Sequence, residues 1–232
     1  MRLSRAAVLT AAVALADGQG VGGLNMRTLA EDLGVVPMAL YKHVSSKEDL
    51  LDGMVDVIVA EIDPPLEGQE WRTTVRSRVL SARAVLQRHR WARQVLETRT
   101  TRTPAVLAYT DSFIGMFLDR GFSVDLTHHV MHALGSRMWG FTQELFDARE
   151  TPAGDAAVDS ASAGSAPPDA AQLEAMARRF PNVLRIARAA AHDDDGVVGR
   201  GCDDQYEFEF ALDLLLDGIE GLHARGWTSA RT

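Results

Sequence analysis

Three stretches carry residue types whose spacing could do chemistry. Residues 34–44, GVVPMALYKHV, place an apolar run, Val36, Pro37, Met38 and Ala39, just ahead of Tyr41, Lys42 and His43. A helix meant for water does not begin with methyl groups, and one meant for a core does not carry a phenol, an ammonium and an imidazole in succession. The major groove of B-DNA suits both halves, because it exposes thymine methyls and base-edge acceptors between rims of phosphate. The second stretch is Gly18-x-Gly20-x-x-Gly23, formally a dinucleotide fingerprint. That fingerprint needs a strand before it and an acid about 20 residues on. A helical pattern precedes it and residues 38–44 contain no acid, so the glycines read as a turn. The third is His128 and His132, four apart on one helix face, a spacing compatible with a shared metal. No HExxH surrounds them and no third ligand stands at a telling distance, so no metal site is assigned, and a metal-sensing DNA-binding protein remains the alternative reading. No GxSxG or recognisable carboxylate pair is present, which argues against an enzyme.

The elements around the first stretch are those needed to hold it. In LNMRTLAEDLG, Asn25 is a helix cap, Met26, Leu29, Ala30 and Leu33 form one apolar face, and Gly34 ends the helix. Pro37 suits the first turn of the next helix, where its missing N–H costs nothing. Leu40 and Val44, one turn apart, point back to the core. Ser46 caps a further helix, with Asp49 three residues on as a weaker capping box. Two short helices joined by a tight turn, behind a longer first helix, form a helix-turn-helix arrangement.

The charge balance does not exclude nucleic acid. The 232 residues carry a formal net charge of −8. Of 24 Lys/Arg and 32 Asp/Glu, five of each fall in residues 1–50, leaving 19 bases against 27 acids for the rest. The amino-terminal segment is therefore neutral, and its cations can share one face. The start, MRLSRAAVLTAAVALADG, has the basic residues, apolar run and Ala-Leu-Ala of a secretory signal. It also reads as an amphipathic helix with Val8, Ala12, Leu15 and Ala16 on one face, ended by Gly18. One cysteine, Cys202, precludes an internal disulfide framework and fits a reducing, cytoplasmic compartment. Asp203 and Asp204 beside it disfavour a thiolate. No apolar run approaches the ~20 residues of a membrane span.

Residues 5–52, and LNMRTLAEDLGVVPMALYKHVSSKEDLLD above all, resemble the DNA-binding domain of the TetR family of bacterial transcriptional repressors. PLEGQEW at 65–71, the Gly-Phe at 121–122 and FEFALDLLLDGIEGL at 208–222 resemble its tetracycline-repressor branch. The resemblance implies an all-α fold: a three-helix DNA-binding domain at 1–46 and a larger helical domain for effector and dimerisation at 47–232. It also settles the amino terminus, since cleavage after Ala16 would delete the helix shielding Leu29 and Leu33. The implied DNA-contacting residues are Arg27, Val36, Pro37, Met38, Ala39, Tyr41, Lys42, His43 and Lys47, with Arg2 and Arg5 reaching the backbone. The implied partners are a palindromic operator, a second copy of the chain and a small organic effector, with no cofactor and no membrane.

Periodicity further predicts helices near 47–61, 71–89, 91–97, 104–119, 124–149, 169–191 and 204–224, with no strands. Residues 151–168, TPAGDAAVDSASAGSAPP, hold almost nothing to bury and read as a mobile loop. The last helix is apolar over a wide arc. Phe208, Leu212, Leu215, Ile219 and Leu222 make one stripe, and Tyr206, Phe210 and Leu214 a second, so a partner should cover what its own subunit cannot.

The expected effector pocket departs from the tetracycline–magnesium set. Carried over by resemblance, the metal-binding histidine becomes Leu96 or Glu97, a second histidine becomes Ala60, and an aromatic becomes Ala82. Two polar contacts become Arg78 and Phe113, and only Glu144 keeps its acidic character. What remains is a large, mostly apolar cavity drawn from Phe113, Phe117, Met131, Met138 and Trp139. Arg78 would pair an acidic or phenolic group, and His128 would point inward.

Overall fold

The computed structural model describes residues 3–99, 102–139, 177–183, 185 and 204–229. Among these residues the chain is helical, with no strand. The helices are α1 (Arg5–Gln19), α2 (Met26–Asp32), α3 (Pro37–Leu40), α4 (Lys47–Val59), α5 (Trp71–Arg88), α6 (Ala92–Thr98), α7 (Pro104–Leu118), α8 (Val124–Trp139) and α9 (Asp204–Ala224). The predicted bounds agree to within two residues for the helices described whole. The 169–191 prediction lies mostly outside the described residues, with helical turns at 177–179 and 181–183. The expected loop at 151–168 and Cys202 also lie outside them. None of the described helices is long and apolar enough to cross a membrane.

Local chemistry sets most of these boundaries. Ser4 Oγ accepts from the backbone N–H of Ala7 to start α1. Asn25 and Thr28 form a reciprocal capping box at α2. Ser46 Oγ accepts from the Asp49 N–H to start α4, but Asp49 returns its bond one residue early, accepting from the N–H and hydroxyl of Ser45. Thr103 caps α7 ahead of Pro104. The expected stop of α1 at Gly18 is displaced. The helix runs to Gln19, and Gly20, at φ 74°, takes the left-handed position while its N–H donates to Ala16 O. A residue with a Cβ is strained there.

By contacts the chain divides into two compact units, 1–140 with 212–232, and 141–211. In the first unit α4 is the shared element, packing on α1 and also on α5, α6 and α7. Val8, Leu29, Leu40, Val44, Leu50 and Met54 are fully buried, and the same core continues to Val85, Trp91, Val95 and Val106. Each fully buried side chain of this size contributes about 1.5–3 kcal/mol. Gly53 permits the α1–α4 approach, since a Cβ there would lie 2.6 Å from Leu9 Cδ2. Beyond α4, Trp71 meets Phe122 edge-on at 5.1 Å, and Phe122 stacks on His223 of α9 at 3.8 Å. Arg76 pairs with Asp213 at 2.9 Å and Arg72 with Asp217 at 2.5 Å, fixing α9 to α5.

Candidate nucleic-acid interface and ligand cavity

The 36–47 stretch folds as a four-residue helix between two turns. Gly34, at φ 65°, reverses the chain after α2, and the Val35 N–H donates to Ala30 O. Leu40 and Val44 anchor the stretch with no exposed surface, which forces the intervening side chains outward. Val36 is 68 % exposed and Met38 71 % exposed, large apolar groups in water with nothing of their own chain over them. Pro37, Tyr41, Lys42 and Lys47 are exposed beside them, with Ala39 and His43 half-buried. Arg27, on α2, is exposed and held by Glu31 at 2.9 Å in an i,i+4 pair. A surface pair of this kind contributes well under 1 kcal/mol and yields easily to a phosphate.

Arg5 does not belong with these cations, contrary to the expected backbone contact. Its guanidinium donates to His43 O at 2.8 Å and to Asp49 Oδ1 at 2.6 Å. It therefore braces α1, the turn after α3 and the start of α4 against one another. Arg5 and the Ser45 N–H together hold the Asp49 carboxyl down to about 2, from an ordinary 3.8. Arg2 lies outside the described residues.

A second node joins the far end of α1 to α5. His89 is buried, with Nδ1 2.8 Å from Asp17 Oδ1 and Nε2 3.2 Å from Glu61 Oε2. Trp91 Nε1 donates to the same Asp17 oxygen at 2.7 Å, and Arg88 donates to Glu61 at 2.7 Å. The Arg88 hydrogen bond, more than His89, lowers the Glu61 pKa.

A cavity of about 210 Å³ lies among α4, α5, α7 and α8. Of the expected effector residues, Phe113, Met131 and Met138 line it. So do Ala82 and Leu96, two of the apolar replacements that the resemblance singled out. Three expectations are corrected. Arg78 is buried behind the wall, where Nη1 donates to Ser112 Oγ at 3.1 Å and the guanidinium lies 4.8 Å from the Tyr109 ring centroid. Phe117 is fully buried in the aromatic cluster with Trp71, Phe113 and Phe122, and is not at the lining. His128 is exposed, its ring 4.7 Å from that of His132. The side chain of Trp139 and all of Glu144 lie outside the described residues. The polar groups that do reach the lining, Arg102, Tyr109 and Thr110, escaped the sequence reading. Burial pushes the Tyr109 hydroxyl up against the opposing pull of Arg78, so it remains a protonated donor at neutral pH. Among the described residues no three His, Cys, Asp or Glu side chains are grouped to hold a metal.

Residues 8–54 match the family described as "Bacterial regulatory proteins, tetR family", and residues 64–222 match "Tetracyclin repressor-like, C-terminal domain". An HTH-type transcriptional regulator of Saccharopolyspora erythraea is 36 % identical over 121 residues, 52 % of this chain and 51 % of that protein. The chain spans between 38 % and 64 % of the length of the curated relatives it matches. Among solved structures, apo ActR from Streptomyces coelicolor superposes with a TM-score of 0.68 at 18 % identity, covering 98 % of this chain and 99 % of that one. The same protein in complex with (S)-DNPA gives 0.65 at 20 % identity, covering 96 % and 100 %. At such identities the likeness is one of fold.

Proposed function

The chain belongs to the tetR family of bacterial regulatory proteins, and from that premise we propose that it is a ligand-responsive transcriptional repressor. In this reading a cytoplasmic homodimer binds a palindromic operator through residues 1–46, and residues 47–232 bind a small, mostly apolar organic effector that releases the DNA. The observation that carries it is the exposed tip: Val36 and Met38 stand in water while Lys42, Tyr41 and Lys47 flank them. Apolar groups on a rigid helix tip suit thymine methyls, and Lys42 suits a guanine edge or phosphate. Arg27, Pro37, Ala39 and His43 complete the contact set.

Two copies are required because one four-residue helix reads too few base pairs for useful specificity. A symmetric pair with recognition helices about 34 Å apart reads two half-sites one turn apart. The support for a dimer is the apolar stripe on α9, where Phe210 and Leu214 are each more than half exposed. Gly218 has nothing within 4 Å of a built Cβ, leaving room for a second helix. The support for an effector is the apolar cavity, together with the ligand-bound state of a protein of the same fold. Effector and operator affinities must then fall reciprocally. A mismatch of ~3 kcal/mol lowers occupancy more than a hundredfold.

The test is selection of duplexes from a random library by the purified chain, followed by anisotropy titrations of Lys42→Ala across a salt series. A palindrome with half-sites one turn apart is expected, and the Lys42 variant should bind it at least tenfold more weakly. Recovery of no enriched duplex at low salt would refute the reading.

A further inference from the structure

The cavity has one charged group and no acid among its lining residues. That group is Arg102, exposed just ahead of α7, and Tyr109 and Thr110 line the same cavity. Two acids of α4 that reach this stretch are already engaged. Asp56 accepts from Thr103 Oγ1 at 2.5 Å, and Asp52 pairs with Arg99 at 3.2 Å. Asp52 and Arg99 line an adjoining recess of about 120 Å³ together with Arg102. Arg102 is therefore a cation shared by the two spaces, and no described residue pairs with it. Arg78 cannot substitute for it, being held by Ser112 and Tyr109.

An unpaired guanidinium at the edge of an apolar wall favours a ligand that brings its own negative charge, since a planar fork matches a carboxylate bidentately. The size limits the rest of the molecule. A cavity of about 150 Å³ takes benzene, so 210 Å³ takes a body of one or two fused rings. Resting on the reading of this cavity as the effector site, we propose that the effector is an amphiphilic anion: an aromatic or similarly flat apolar body whose carboxylate or phenolate is paired by Arg102. Tyr109, as a protonated phenol, is the second donor available to the same oxygens.

The probes are 2-naphthoate and its neutral isostere 2-naphthamide, titrated by calorimetry into the full chain, Arg102→Gln, Arg102→Lys and the cavity-filling Ala82→Phe. Wild type should bind naphthoate at least tenfold more tightly than the amide. Arg102→Gln should collapse that preference toward one, and Arg102→Lys should restore part of it. Equal binding of the two compounds by wild type, or a preference that survives Arg102→Gln, overturns the inference. In that case loss of amide binding in Ala82→Phe would leave the cavity intact as the effector site. Failure of both compounds to bind, or binding untouched by Ala82→Phe, overturns the cavity reading and the charge inference with it. Thermal unfolding of each variant confirms that the comparisons are made on folded protein.

Discussion

Asp49→Asn isolates the brace that positions the recognition turn. The substitution keeps the shape of the side chain and leaves the Ser46 cap untouched, because that cap uses the backbone N–H of residue 49. It removes the charge that pairs with Arg5 and accepts from Ser45. A carboxyl held at about 2 rather than 3.8 corresponds to at most ~2.4 kcal/mol at 1.36 kcal/mol per unit. The side chains of Arg5 and Asp49 are 44 % and 30 % exposed, so solvent screening lowers the expectation to about 1 kcal/mol. The sign follows from the lowered pKa: this stability is fully present above 3.8 and is lost as pH falls through about 2. Urea unfolding at fixed protein concentration should therefore show the Asn variant weaker by about 1 kcal/mol at pH 7, with the gap roughly halved by pH 3. Operator affinity should fall as well, since Arg5 loses one of the two groups that hold it against His43 O. Equal stability of the two proteins at pH 7, or a gap that does not shrink toward pH 3, would refute the reasoning.

Three further perturbations probe the remaining joints. Gly53→Val should cost about 1–3 kcal/mol by overpacking the α1–α4 contact, where even a Cβ meets Leu9 Cδ2 at 2.6 Å; a denaturation midpoint unchanged from wild type would show that the Leu9 side chain gives way freely. His89→Phe removes the imidazole between Asp17 and Glu61, leaving Trp91 Nε1 and Arg88 as their remaining donors, and should lower stability by about 1 kcal/mol in chemical unfolding; wild-type stability would mean that Trp91 and Arg88 suffice for the two carboxylates. Phe210→Lys places a charge in the exposed α9 stripe and should shift sedimentation toward monomer while weakening operator binding; a dimer of undiminished affinity would place the self-association surface elsewhere.

Much of the scaffold was legible because its signals are local. Asn25 and Ser46 each mark a helix start within four residues, and Leu40 and Val44 declare the inner face of the recognition turn through one helical repeat. The exposed tip followed from the same repeat, since burying those two leaves Val36 and Met38 no inward direction. What could not be read is what depends on convergence from distant parts of the chain. Arg5 and Asp49 are 44 residues apart, so nothing in either neighbourhood announced the brace. The cavity failed in part for the same reason. Phe113, Met131 and Met138 were expected from the family resemblance, but the contributions of α4 and of Arg102 appear only when several helices meet. Arg78 was misplaced because a buried arginine finds partners wherever hydroxyls and rings are close, and Ser112 and Tyr109 lie on α7, packed against α5.

The proposed coupling needs no path beyond α4 itself. Ile58 and Val59 at its carboxy-terminal end, with Ile62 just beyond, line the cavity, while Lys47 and Asp49 at its amino-terminal end border the recognition turn. Thirteen residues make a rod of about 20 Å, stiff enough to carry a tilt from one end to the other. Its midpoint is Gly53, which approaches Leu9 of α1 with no room for a Cβ and so serves as a fulcrum between the two ends. An effector that pushes Ile58 outward by about 1 Å therefore displaces the Lys47 end by a similar amount in the opposite sense. Hydrogen bonds to bases and phosphates hold only over about half an ångström of length, so a shift of that size is enough to uncouple a half-site. Tight packing makes such a lever work only if the cavity resists collapse. For that reason the apolar wall is as necessary to the switch as the cations at the tip.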